Sequence, residues 1–352
     1  DCEIQFQARW KAGSSRLIFS TWDHSIANSF LIPIPEDLGT PGARNSRARS
    51  NAPAQIARLN LWPAVPTTRD DVAISADVVS TEPLDYVRVY HRRDNSNNNG
   101  SWSFEEMHDD GAAGGDLADA DGRFTGLVTT HKQNRAIVQF YVEARTQSGN
   151  IIRLPRNAPE LPGLYIVDTR SPNTDLRTMR FVVSAFDMGA ISSGESRKYN
   201  YKFPRLANHY FNSTFISNEA DIYYHASIRH TGSPWTRGNN LDRAKFKVTQ
   251  DRPFRGRVKH RWDNDASNSG RRHHNRITRY MLYLLGHPVN ENEFVQVMIN
   301  AGSPQLREDT EPVGNEFLDR NFESGADGEL YRIDDEWWCR DSWDSKNRDA
   351  WW

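Results

Sequence analysis

Short runs of alternating apolar and polar residues occupy the middle of the chain. The apolar positions of two such runs are Val72, Ile74, Ala76 and Val78, and Val138, Phe140, Val142 and Ala144. Because successive side chains of a strand point to opposite faces, this alternation predicts strands with one buried face. Turn-rich stretches such as 95–100 separate the runs. We therefore predict that 54–168 forms a β-sandwich of the immunoglobulin type.

The C-terminal segment, 175–352, mixes strand-like runs with one amphipathic stretch at 271–285. The apolar stripe of that stretch consists of Ile277, Tyr280, Met281, Leu284 and Leu285. Its spacing predicts a helix. We expect this helix to cover a sheet that contains Ile228, Phe246 and Val297. The predicted fold class is mostly β with an α+β C-terminal part.

The first segment, 1–48, begins with an alternating run at 2–10 that predicts a strand, and it ends in a Pro/Gly turn at 38–46. A polar linker follows it. The chain contains two cysteines, Cys2 and Cys339, which form one bridge or remain two free thiols; the sequence leaves both open. We interpret the chain as an internal segment of a longer protein.

The composition excludes two broad classes. Hydrophobic residues make up 37% of the 352 residues and aromatic residues 11%, which is enough to form a core and argues against wholesale disorder. No apolar run approaches the roughly 18 residues that a membrane-spanning helix needs. The net charge of −2 indicates no general affinity for nucleic acid.

The charge is unevenly distributed. Residues 228–280 contain 14 Lys and Arg against 4 Asp and Glu, whereas 305–350 contain 6 against 14. The basic stretch predicts an anion or nucleotide site, with the candidates Arg229, Ser233, Arg237, Arg243 and Lys245. The alternative is that the basic region docks against the acidic tail, within the molecule or between neighbours. The five tryptophans of that tail favour packing over carbohydrate binding.

An acidic loop is a candidate metal site. Its carboxylates are Asp109, Asp110, Asp116, Asp119 and Asp121. Clustered carboxylates are the ligands that Ca²⁺ prefers, which makes Ca²⁺ a candidate cofactor. The alternative is a set of Gly/Asp turns whose carboxylates accept hydrogen bonds from loop amides.

Several motifs in 175–340 occur together in a family-like order. They are Ile-Arg-His-Thr-Gly-Ser at 228–233, Asp-Arg-Pro-Phe-Arg-Gly-Arg at 251–257, the predicted helix, Phe-Val-Gln-Val-Met-Ile-Asn at 294–300 and Asp-Gly-Glu-Leu-Tyr-Arg at 327–332. This combination resembles the spore coat protein H (CotH) kinase-like family. The resemblance implies a kinase-like small lobe, an antiparallel sheet plus one covering helix, in a domain over 175–352 that is apparently incomplete.

Two further resemblances concern the N-terminal segments. The turn at 38–46 is similar to the end of a lamin-tail domain, which implies that 1–48 is the C-terminal part of such a β domain. The segment 107–124 is similar to the immunoglobulin-like module that precedes such kinase domains in large bacterial surface proteins. These neighbours imply a secreted or cell-surface location, with other modules or copies of the same protein as partners.

The chain departs from the family where catalysis would occur. Phosphoryl transfer needs a Lys on the phosphates, a helix Glu that positions it, and Asp residues that hold metal. Asp242-Arg243 stands where the family's Lys is expected, and 271–285 contains no acidic residue. We therefore assign no catalytic residue and favour a structural or interaction segment with a degenerate or truncated kinase-like domain. The alternative is an active kinase, dependent on ATP and Mg²⁺, whose catalytic lobe lies beyond residue 352.

Overall fold

The computed structural model describes 54–95, 100–192, 210–231, 241–263 and 273–323, together with the backbone of two short strands. These two strands, β1 (Arg16–Phe19) and β2 (Phe30–Pro33), pair antiparallel. The described chain is mostly β, as the sequence predicts. The predicted strand at 2–10, the turn at 38–46, both cysteines and the motif at 327–332 lie outside the described residues.

The first unit contains two antiparallel sheets. Its strands are β3 (Gln55–Trp62), β4 (Val72–Val79), β5 (Leu84–Arg93), β6 (Ser103–Glu106), β7 (Arg123–Val128), β8 (Ile137–Thr146), β9 (Ile151–Leu154) and β10 (Gly163–Ile166). One sheet has the order β3-β4-β7. The other has the order β10-β8-β5-β6, and β9 also pairs with β8. Both sheets contribute to one hydrophobic core, so the predicted strands in this segment are confirmed.

Strand β8 alternates apolar and polar residues, and its apolar side chains point into the core. Val138, Phe140, Val142 and Ala144 are all fully buried and belong to the hydrophobic core, as predicted. The polar residues between them, such as Gln139 and Glu143, are nearly as buried because other side chains of the sheet cover them. The outer face of this sheet is therefore a packed layer and not an open solvated surface.

The second unit is a closed barrel of seven strands within the described residues. They are β11 (Arg177–Val183), β12 (Phe211–Ser217), β13 (Asp221–His230), β14 (Ala244–Lys247), β15 (Lys259–Asp263), β16 (Asn292–Ile299) and β17 (Gln305–Thr310), in the order β11-β12-β13-β14-β15-β17-β16. The parallel pair β11 and β16 closes the barrel, and the other pairs are antiparallel. Three helices accompany it: α1 (Ala185–Ser192), α2 (His274–Leu284) and α3 (Asn315–Asn321).

Aromatic side chains fill the barrel. The rings of Phe181 and Phe215 stack with centroids 4.9 Å apart, and Phe246 and Trp262 pack against Phe181. Each aromatic side chain removes a large apolar area from water, so this cluster dominates the stability of the unit. Ile191 of helix α1 also belongs to this core, whereas no residue of α2 does.

The predicted packing of the helix is wrong. Helix α2 forms almost where the sequence predicts it, but its Ile277, Met281 and Leu284 are 54%, 58% and 64% exposed. The three sheet residues expected beneath it do share the barrel core. The closed barrel already buries their side chains, which leaves no apolar face for the helix to cover.

The two units share a continuous junction. Val182, Ile216 and Ile222 of the barrel belong to the hydrophobic core of the first unit. The backbone N–H of Leu164 in β10 donates to Oγ1 of Thr214 in β12 at 3.0 Å. Apolar burial combined with a buried hydrogen bond fixes the orientation of one unit on the other.

Arg180 is the buried ion-pair centre of this junction. Its guanidinium donates from Nη1 to Asp168 Oδ2 at 2.9 Å and from Nη2 to Glu219 Oε2 at 2.8 Å. The Arg180 side chain is 1% exposed. Two carboxylates compensate one buried cation, an arrangement that ties the connecting segment after β10 to the barrel.

Candidate anion-binding site on the barrel

Strands β14 and β15 place basic side chains on the outer face of the barrel. Phe246 in β14 and Trp262 in β15 point into the core and are fully buried. Because side chains alternate along a strand, the residues beside them point outward. These outward residues are Lys245, Lys247, Lys259 and Arg261.

The strand register sets these cations against one another. Lys245 lies directly between Arg229 of β13 and Arg261 of β15, and Lys247 lies opposite Lys259. Like charges directly opposite each other in a sheet are destabilising. Repulsion among Lys247, Lys259 and Arg229 therefore raises the free energy of the folded barrel, and the five basic residues make this surface strongly positive.

A cleft of about 350 Å³ is lined by Tyr210 and by four of these cations, Arg229, Lys245, Lys247 and Lys259, together with His260 and Pro312. The guanidinium carbon of Arg229 lies 5.0 Å from the centroid of the Tyr210 ring, and Lys247 Nζ lies 4.4 Å from it. Partial burial lowers the pKa of Lys247, and the charges of Lys259 and Arg229 lower it further. An anion in the cleft would relieve this repulsion.

Arg229 adds a buried hydrogen-bond donor to this face. The residue is only 8% exposed, and its Nε is buried without a hydrogen-bond partner among the described residues. A buried donor that lacks a partner costs free energy. Guanidinium donors suit the oxygens of phosphate, sulfate and carboxylate groups, so the arrangement can bind an anion of this kind.

The structure describes three of the five anion-site candidates that the sequence predicts. It places Arg229 and Lys245 side by side, and the backbone N–H of Thr231 donates to the carbonyl of Arg243 at 3.2 Å, which holds that residue on the adjoining strand end. Ser233 and Arg237 lie outside the described residues.

Sequence reasoning missed four members of the site. They are Tyr210, Lys247, Lys259 and Arg261. The alternation Lys-His-Arg-Trp at 259–262 is the signal that could have identified two of them, because it repeats the basic-out pattern of β14.

The acidic loop is built around its own amides. Asp109 accepts hydrogen bonds from the N–H groups of Asp121 and Gly122, and Asp110 accepts from Ala112 and Ala113. The two amide bonds lower the pKa of Asp110. Asp116 likewise accepts from Gly111 and Leu117, and Asp119 pairs with Asp110 through an isolated bridge.

This geometry is that of capped turns. Across the part of the chain that the structure describes, which includes all five aspartates, no three His, Cys, Asp or Glu side chains converge as a metal-ligand set. The structure therefore brings these aspartates into one loop without bringing them together around a cation.

The segments in which the resemblance implies a kinase's strand Lys and helix Glu carry the opposite charges in this chain. Asp242 accepts a hydrogen bond from Arg307 Nη2 at 2.7 Å. In helix α2 the charged residues that contact the barrel are cations. Arg279 Nη1 lies 2.6 Å from Oε1 of Glu308 in β17, and the guanidinium carbon of Arg276 lies 4.9 Å from the ring centroid of Phe294 in β16. A kinase places the cation on the strand and the carboxylate on the helix.

Comparisons with known proteins identify no family for this chain. No protein-family model matches the chain, and no curated protein matches it. Among solved structures, the crystal structure of Spo0M, a sporulation control protein from Bacillus subtilis, matches with a TM-score of 0.20 and 8% sequence identity. The match covers 60% of this chain and 89% of that one, and so low a TM-score supports no conclusion about fold or function.

No helix in the described part of the chain combines the length and apolar character needed to cross a bilayer.

Proposed function

We propose that this chain is a non-catalytic interaction segment of a large extracellular or cell-surface bacterial protein, and that it binds an anionic group through the basic face of its barrel. In this proposal 54–168 is an immunoglobulin-like sandwich that acts as a spacer, 175–352 is a degenerate CotH kinase-like domain, and 1–48 ends a lamin-tail-like domain. The buried junction at Arg180 supports the proposal, because it would hold the binding face at a fixed angle to the spacer.

One observation carries the binding part of the proposal: cations face cations across β13, β14 and β15, and the Arg229 Nε is buried beside them with no partner in the described structure. Such an arrangement is destabilising in the absence of a ligand and becomes favourable when an anion enters. Phosphate, sulfate and acidic glycan groups have the matching charge and acceptor oxygens. Neighbouring modules or other copies of the protein would present them.

Calorimetric titration with pyrophosphate tests this proposal. The full chain should bind pyrophosphate saturably at low salt, and the double variant Lys247→Met/Lys259→Met should bind at least about tenfold more weakly, a loss of about 1.4 kcal/mol. The matched control is Arg69→Met, which removes an exposed cation from the first unit and should leave binding unchanged. Equal affinities for the wild type and the double variant would contradict the proposal.

The same cleft also suits a second candidate function, nucleotide binding by a kinase. A nucleotide polyphosphate could meet Arg229 and Lys245, which would suit a secreted CotH-like kinase whose catalytic lobe follows residue 352. Among the described residues no group of carboxylates is placed to hold Mg²⁺, so the polyphosphate charge stays uncompensated there and transfer is not expected. A radiolabelled ATP assay with Mg²⁺ and Mn²⁺ tests this. Autophosphorylation by the chain that disappears in Lys245→Ala would establish the kinase and overturn our proposal.

A further inference from the structure

Helix α2 is attached to the barrel by its polar side. Asn275 and Arg279, one turn apart, both contact the buried carboxylate of Glu308, at 3.1 Å and 2.6 Å. Within the helix these two residues are the half-buried positions, and every other residue of α2 is exposed or nearly so. The anchor is therefore ionic, which is the reverse of a helix that buries an apolar stripe.

The apolar stripe of α2 consequently faces away from the barrel. At 100° per residue, Ile277, Met281 and Leu284 fall on the side of the helix opposite Asn275 and Arg279. Tyr280 continues the stripe and is also exposed. Contiguous exposed apolar surface of this kind marks a contact site, because leaving it in water is unfavourable.

A cleft of about 580 Å³ runs beside this stripe. Three arginines and several apolar side chains share its lining with Glu291: Arg255, Arg276 and Arg279 with Ile277, Tyr280 and Tyr283. Arg255 is paired with Glu293 at 2.9 Å and Arg279 with Glu308, so the positive charge that a segment would meet is chiefly that of Arg276. The surface formed by the stripe and this cleft, which we call the α2 surface, therefore combines positive charge with apolar area. A segment that fits it should carry negative charge and large apolar side chains.

We propose that the C-terminal segment 324–352 of the same chain covers the α2 surface. This segment contains eight Asp and Glu against four Lys and Arg, and five of the eleven tryptophans of the protein. These are Trp337, Trp338, Trp343, Trp351 and Trp352. Its composition matches the two requirements of the surface.

The path of the chain supports this occupant. Arg320 of α3 donates to the carbonyl of Val289 at 3.2 Å, and Arg320 and Asn321 line a small cleft with Tyr283 and Gly286 at the end of α2. The segment thus starts beside the C-terminal end of the stripe. The helix is only about 16 Å long, which a few residues of extended chain can span. Covalent connection gives the segment a high effective concentration at the surface.

Charge disfavours the other occupants. A second copy would bring the same cleft against itself and would supply no excess of negative charge for Arg276. The basic face of β13, β14 and β15 offers the acidic segment charge, but Tyr210 and Pro312 are the apolar side chains in the lining of its cleft, and the Tyr210 ring is already covered by Arg229 and Lys247. The α2 surface offers both, and the inference does not depend on the proposed anion site.

Thiol crosslinking in the full chain tests the inference. In a Cys2→Ser background, Met281→Cys places a thiol on the stripe, and the natural Cys339 lies in the segment. A short bismaleimide should join the two within one chain, detected as a linked peptide by mass spectrometry. The matched control is Thr278→Cys, which is exposed on the same helix but off the stripe. We expect the crosslink at 281 to form at least about tenfold faster than at 278.

Two outcomes would overturn the inference. Equal rates at 281 and 278 would mean that the segment passes the helix without binding it, and crosslinks chiefly between two chains would identify a second copy as the occupant. An independent readout is acrylamide quenching of tryptophan fluorescence in Ile277→Asp/Met281→Asp. Release of five tryptophans should raise quenching clearly above wild type, and unchanged quenching would also contradict the inference.

Discussion

Two outer sheet faces of this protein carry cations at alternate positions, and they treat those cations in opposite ways. On the five-stranded sheet, Arg88 Nε donates to Glu106 at 2.7 Å, and its guanidinium lies 4.3 Å from the Phe104 ring centroid. Arg92 likewise donates to Gln139 at 2.8 Å and lies 4.2 Å from the Trp102 ring centroid. Each arginine has an acceptor in its plane and an aromatic ring on its face.

The basic face of the barrel lacks this pattern. Lys247 faces Lys259, and Arg229 shares the Tyr210 ring with Lys247. The sheet geometry is the same in both places, so the difference lies in the residues chosen for the neighbouring positions. Cations that are interleaved with acceptors and rings stabilise a sheet, whereas cations set against cations destabilise it, and we propose that an anionic ligand offsets this cost.

The largest loss of stability is expected at Arg180, the buried cation whose charge two carboxylates compensate. Replacing the guanidinium in Arg180→Met should lower the free energy of unfolding by about 3 kcal/mol, because Glu219 loses its partner and buried Asp168 loses its ion pair to the barrel and keeps only Arg170. Chemical denaturation measures this, with Arg69→Met as the exposed control. A loss below about 0.5 kcal/mol would show that compensated buried cations contribute little here.

A smaller loss is expected on the outer face of the first unit. Glu143 accepts from the hydroxyl of Tyr86 and from Nε of Arg153, each at 2.7 Å. Glu143→Ala should therefore destabilise the protein by about 1–2 kcal/mol, since two donors lose a buried acceptor. Denaturation of Glu105→Ala, which changes a more exposed carboxylate of the same sheet, provides the control. Equal losses of stability for the two substitutions would show that the hydrogen bonds to Glu143 do not stabilise this face.

The alternating strands of both units were predictable because each shows its period locally. β4 and β8 follow the two-residue pattern, and their inward positions are buried as predicted. β17 was not predictable, because it contains three consecutive charged residues, Arg307, Glu308 and Asp309, that are all buried. Their partners, such as Asp242, lie far away along the chain, and no local pattern reveals them.

The site was predictable only in part for a related reason. Arg229 and Lys245 could be named from the density of positive charge, but strand register decides which cations meet, and register is not visible in composition. Helix α2 shows the same limit. Its period predicts an amphipathic helix, whereas the polar contacts with Glu308 and the contact of Arg276 with the Phe294 ring decide that the apolar side faces outward.

The smallest expected effect is a pH dependence of stability on the basic face, caused by Lys247. Burial and neighbouring cations lower the pKa of Lys247 below its ordinary 10.5, so the unfolded chain binds the proton more tightly and stability rises with pH through that interval. At neutral pH, Lys247→Met should be more stable than wild type by a few tenths of a kcal/mol. This advantage should fade as the pH approaches 10.5, as denaturation at several pH values will show. An advantage that grows with pH would have the wrong sign.

The most direct test of the central claim combines stability and ligand in one measurement. Thermal unfolding of wild type and of Lys247→Met/Lys259→Met is compared with and without pyrophosphate. We predict that the variant is the more stable protein without the ligand, and that pyrophosphate raises the melting temperature of the wild type alone. A variant that is less stable without ligand, or that gains as much from pyrophosphate as the wild type, would contradict the claim that these cations are kept for an anion.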